Sequence, residues 1–155
     1  MTITKLIKAN LGLVLMAVVL LSAVACKKDK AKPEPKLALH GEWQELGLSA
    51  GLERNLYFSS DNGFKMDVID RISPSNIINI YTGSYTLVND SVKVKINKKQ
   101  TIKDNMLVSS EVVDNDLFEK GTYQVEGNVL TLKYITYPAD APARTEIKYR
   151  RRLID

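Results

Sequence analysis

Two stretches of the chain, Gly83–Lys95 and Gly121–Lys133, repeat one pattern at an offset of 38 residues, and that repeat narrows the fold more than any other feature. Each reads glycine, a hydroxyl residue, tyrosine, a polar residue and an aliphatic one, then a two-residue turn, then alternating aliphatics. A side-chain period of two belongs to a β-strand, because successive Cβ atoms point to opposite faces. The turns Asn89-Asp90 and Gly127-Asn128 contain residues that tolerate the positive φ angles of tight primed turns, so each copy is expected to make a hairpin. By parity Tyr85, Leu87, Val92, Val94 and Ile96 share one face, as do Tyr123, Val125, Leu130, Leu132 and Tyr134. These faces are expected to point inward.

The same alternation runs on both sides of the repeat. Leu56 and Phe58 alternate before Ser59–Gly63, and Phe64, Met66 and Val68 alternate after it, which predicts another hairpin. Ser73-Pro74-Ser75-Asn76 ends that pair. Gly83, inside the apolar run 77–88, marks a bulge or sharp bend of the kind a barrel needs at a corner. Further strands are expected near residues 42–46, 105–113 and 145–152. The expected fold is therefore all-β: a small antiparallel up-and-down barrel of about eight strands over residues 40–155, closed so that no edge stays exposed.

Residues 1–39 have a different composition. Lys5 and Lys8 precede an apolar run, and Ser22-Ala23-Val24-Ala25-Cys26 follows it, the three-part layout of an export signal. The apolar stretch of about 15 residues is short for a membrane span, which needs about 20, so residues 1–25 are expected to be cleaved. Ala23-Val24-Ala25 also satisfies the rule for an ordinary secreted protein. Against that, Cys26 would leave a lone thiol at the new N-terminus in an oxidising compartment. Small residues before a cysteine, followed by Lys27-Lys28-Asp29-Lys30, resemble the lipobox and tether of Gram-negative bacterial lipoproteins. The resemblance implies lipidation at Cys26 and anchoring in the cell envelope, at the outer membrane. Residues 26–39, charged and carrying Pro33-Glu34-Pro35, read as an extended spacer.

Within the domain, Gly41-Glu42-Trp43 matches the Gly-x-Trp of the first lipocalin strand, and residues 40–155 resemble the small bacterial lipocalin-like domains of the calycin group. That resemblance implies an arginine of the last strand packed across Trp43 at the closed end. Parity with Ile147 and Tyr149 selects Arg151 from Arg150-Arg151-Arg152. The chain departs from the family in lacking a Thr-Asp-Tyr motif and in the short, proline-containing segment 137–143.

Little in the chain points to catalysis. The formal charge is +4, but residues 1–39 carry seven lysines against Asp29 and Glu34, which leaves −1 for residues 40–155. A domain so nearly neutral has no electrostatic footprint for nucleic acid. His40 is the single histidine, so a His-based metal cluster or triad is not expected, and no phosphate loop, nucleophile elbow or cofactor motif is present. Glu111, Asp114, Asp116 and Glu119 around Asn115 read as a solvated hairpin turn, with neither the spacing nor the glycine of a calcium loop.

Two non-enzymatic functions are expected. In the first, the barrel binds a small hydrophobic ligand in a cavity lined by Phe58, Met66, Tyr85, Tyr123, Tyr134 and Tyr149, the phenols orienting it. In the second, a filled barrel docks on another envelope protein, or inhibits one, through a loop or an exposed strand.

Overall fold

The computed structural model describes residues 38–72, 74–138 and 141–152. Cys26, the export segment and most of the spacer lie outside the described residues. Among the described residues nine antiparallel strands follow in chain order: β1 (Gly41–Glu45), β2 (Leu52–Phe58), β3 (Gly63–Asp70), β4 (Ile77–Val88), β5 (Ser91–Lys103), β6 (Met106–Leu117), β7 (Glu119–Glu126), β8 (Val129–Thr136) and β9 (Ala143–Arg152). Neighbours in sequence pair as hairpins except β6 and β7, and β1 pairs with β9 through Trp43 opposite Arg151 and Glu45 opposite Tyr149, which closes the ring. Eight strands make the barrel. The remaining one, β6, lies along β5 from Val94 to Lys103, while β7 takes over beside Ser91 of β5 and runs on to β8.

The two repeat glycines sit where the ring turns its corners. At Gly83 the pairing of β4 with β5 shifts register, and at Gly121 that of β7 with β8 does the same. A Cβ on Gly83 would lie 1.8 Å from the Lys95 carbonyl oxygen, and one on Gly121 would lie 2.6 Å from that of Phe118. Only hydrogen fits where two backbones approach so closely.

A second regularity holds one end shut. The backbone N–H of Tyr85 donates to Asn62, that of Tyr123 to Asp90 and that of Arg151 to Asn128, so each hairpin turn is tied to a strand of a later hairpin. The two repeat tyrosines add their hydroxyls: Tyr85 donates to the Ser59 carbonyl at 2.9 Å and Tyr123 to that of Asn89 at 3.5 Å. Trp43, fully buried, donates from Nε1 to the Leu39 carbonyl at 2.8 Å, and the Arg151 guanidinium stacks 4.2 Å from its ring centre. Arg151 also donates to the carbonyls of Ala38 and His40. Around this end Leu56, Phe58, Tyr85, Val92, Val94, Ile96, Leu130 and Leu132 are at most 1% exposed. Each such side chain removed from water stabilises the fold by about 1.5–3 kcal/mol.

The acidic segment read from sequence as a turn is a strand. β6 extends through Asp114 and Asp116, both ion-paired to Lys95 of β5, and the chain bends only afterwards, at Phe118 and Lys120 with φ of 58° and 51°. The alternation that identifies strands is missing because most of β6 is exposed, so no buried face selects apolar residues at every second position. The bend turns Phe118 inward, to 9% exposure.

Candidate functional site

Three adjacent strands, β9, β1 and β2, place a polar row inside the barrel. Tyr149 is the register partner of Glu45. Arg54 shares the inward parity of Leu56 and Phe58, and its Nη1 donates to Glu45 Oε2 at 2.7 Å. The Glu45 side chain is 7% exposed and that of Arg54 32%. Tyr149 is wholly buried, and its hydroxyl lies beside the Arg54 guanidinium without forming a well-aligned hydrogen bond. An unmet polar group in such a place costs about 1–3 kcal/mol, so the row carries a standing penalty that a bound polar group would remove.

The electrostatics favour one protonation pattern. Burial, the largest influence, opposes the charge of Arg54, but Glu45, Tyr149 and Tyr134 together outweigh it and the guanidinium is held above its ordinary value. Burial, then Glu45, pushes the Tyr149 phenol well above its usual range, and burial raises Tyr134. Both phenols stay protonated at neutral pH, able to donate and accept, beside an ion pair of no net charge.

The six residues read from sequence as cavity lining divide into two groups. Phe58, Tyr85 and Tyr123 belong to the packed closed end. The Phe58 ring meets Phe64 at 5.2 Å and Tyr85 at 5.1 Å, both edge-on, and the hydroxyls of Tyr85 and Tyr123 are spent on turn carbonyls. Phe64 meets Phe118 at 6.3 Å, and Phe118 meets Tyr134 at 5.0 Å. This chain of rings crosses the interior. Met66 and Tyr134 are half-buried, and together with Tyr149 they lie where polar side chains begin. Arg54 and Glu45 escaped the sequence reading. Their signal was a charged residue on each of two inward parities, next to Trp43 in β1 and Leu56 in β2.

Outside the barrel, Met106, Leu107, Val108 and Val112 of β6 are 57–92% exposed. Among the described residues β6 pairs only with β5, so its other edge is open. Among the described residues no group of three or more His, Cys, Asp or Glu is placed to hold a metal ion. Comparison with family models, with characterised proteins and with solved structures returns no match, so the geometry alone carries the functional reading.

Proposed function

We propose that this chain is an exported lipoprotein, anchored through Cys26, whose lipocalin-like barrel acts without catalysis by holding the polar end of a small amphipathic molecule at Tyr149, Arg54 and Glu45. The observation that carries this reading is the fully buried Tyr149 hydroxyl, which makes no well-aligned hydrogen bond beside the Arg54–Glu45 ion pair. Buried polar atoms in folded proteins are nearly always satisfied, and an exception calls for a reason. A ligand hydroxyl, carbonyl or carboxyl reaching Tyr149 and the half-exposed Arg54 supplies one, while Met66 and Tyr134 offer apolar surface to its tail.

The test joins binding to stability. Tyr149→Phe removes the unmet hydroxyl, so thermal stability is expected to hold or rise, while affinity for 11-(dansylamino)undecanoic acid, followed by fluorescence, falls about fivefold, roughly 1 kcal/mol. Equal affinity in both proteins would overturn the reading. For the anchor, Cys26→Ser is expected to move the protein from the membrane pellet to the soluble fraction after osmotic lysis. Lipidation of one chain holds marginally and of two or more firmly, so an unchanged distribution would count against it.

A second reading rests on β6. Its open edge and exposed Met106, Leu107, Val108 and Val112 suit a partner that adds a strand, main chain to main chain. Failure of the wild-type protein to bind the probe would leave this reading in place of the first.

A further inference from the structure

On the opposite side of the same sheet from the polar row, the outward residues of β1, β2 and β3 line a groove of about 430 Å³. It opens on the outer face, where Asn55 and Tyr57 alternate with the inward Arg54, Leu56 and Phe58, and Leu56 and Phe64 also border it. Two cross-strand rows build its floor. Glu42, Tyr57 and Lys65 are register partners in one, and Gln44, Asn55 and Asp67 in the next.

The full charges in this groove are already compensated. Arg152 donates to Glu42 at 2.8 Å, and Lys65 donates to Asp67 Oδ2 at 2.8 Å. What is left unmet is neutral hydrogen bonding. Asn55 is 6% exposed and its Oδ1 has no partner, and the second oxygen of Asp67, Oδ1, is buried and unpartnered as well. These two residues are register partners across β2 and β3, and neither oxygen is satisfied. Both are acceptors. The terminal torsions of Asn and Asp are broad, so a small rotation turns them to the groove. Beside them Tyr57 keeps 40% of its surface exposed, an aromatic face at the groove wall.

We propose that this groove binds a neutral polyhydroxylated ligand of one or two sugar rings, with hydroxyls donating to Asn55 Oδ1 and Asp67 Oδ1 and the C–H face of a ring lying on Tyr57. The volume falls in the range of about 300–1,000 Å³ that small-molecule sites occupy. Compensated charge argues against an ammonium ligand, which would need an unpaired carboxylate to repay its desolvation.

The experiment is an NMR titration of the ¹⁵N-labelled full chain with cellobiose, maltose and N,N′-diacetylchitobiose at millimolar concentration, with butylamine as a cationic comparison. At least one disaccharide is expected to give saturable shifts at the Asn55 side-chain amide and at Tyr57. Asn55→Leu and Tyr57→Ala are each expected to weaken that binding about tenfold, near 1.4 kcal/mol. Folding is monitored in the same spectra, and Tyr57→Ala, at an exposed position, serves if Asn55→Leu proves unstable. No shift with any disaccharide, shifts with butylamine alone, or disaccharide binding indifferent to both substitutions would each overturn the proposal.

Discussion

Replacing Trp43 with alanine is expected to remove about 3–5 kcal/mol from the unfolding free energy, the cost of deleting a large buried aromatic. Small domains have only about 5–15 kcal/mol in total, so the variant should be near unfolding at ambient temperature. Three losses coincide at this side chain. The indole is fully buried, and its removal leaves a cavity among Leu39, Leu56 and the rest of the closed end. The Leu39 carbonyl loses its 2.8 Å donor. The Arg151 guanidinium loses the ring beneath it, and burial already pulls its proton affinity below the ordinary value. Trp43→Phe separates these effects: it keeps most of the packing and loses the hydrogen bond, for an expected cost of about 1–2 kcal/mol. Urea denaturation monitored by circular dichroism measures both. A Trp43→Ala variant within about 1 kcal/mol of wild type would show that the Trp43 and Arg151 closure does not hold the barrel.

Gly83→Ala and Gly121→Ala are expected to act against the usual sign. A glycine whose backbone suits any residue normally gains about 0.4–1 kcal/mol on change to alanine, because the unfolded chain loses freedom. Neither glycine has a positive φ, so backbone strain is not what demands them. Contact is. The new methyl would meet the Lys95 carbonyl at position 83, and those of Phe118 and Val92 at position 121, all backbone atoms that cannot swing aside. Each variant is expected to lose about 1–3 kcal/mol, with Gly83→Ala at the upper end or beyond, since its contact is the shorter. Thermal melts of the two variants provide the check, and a rise in melting temperature for either would refute the corner role. Gly47 is a useful contrast: it has open space but φ of +84°, so alanine there strains the backbone without a clash.

The equivalence of Gly83 and Gly121 also shows how far the chain can be read without its fold. Their 38-residue spacing, the tyrosine two places on and the alternating aliphatics after the turn are local properties, and the structure uses both copies alike: corner, tied turn, buried hairpin face. A fully buried face must be apolar at every second position, so Val92, Val94, Ile96, Leu130 and Leu132 were legible from parity alone. The lipocalin resemblance implied an arginine of the last strand across Trp43, and parity with Ile147 and Tyr149 chose Arg151. Where burial fades, so does the signal. The second half of β5, Asn97–Lys103, and β6 have no buried side chains; a strand was expected near residues 105–113, but nothing in the order of the acidic residues 114–117 distinguished strand from turn.

What the sequence by itself determined, then, is the strand periodicity, the hairpin turns, the corner glycines and the inward apolar face, because each depends on neighbours a few residues away. Only the tertiary structure decided that Tyr85 and Tyr123 spend their hydroxyls on turns while Tyr149 keeps one unmet, that Arg54 finds Glu45, and that Asn55 faces Asp67 with neither satisfied. A side chain's hydrogen-bond partner is set by which strands the closed ring makes adjacent. In a barrel whose first strand pairs with its last, that adjacency joins residues more than a hundred positions apart.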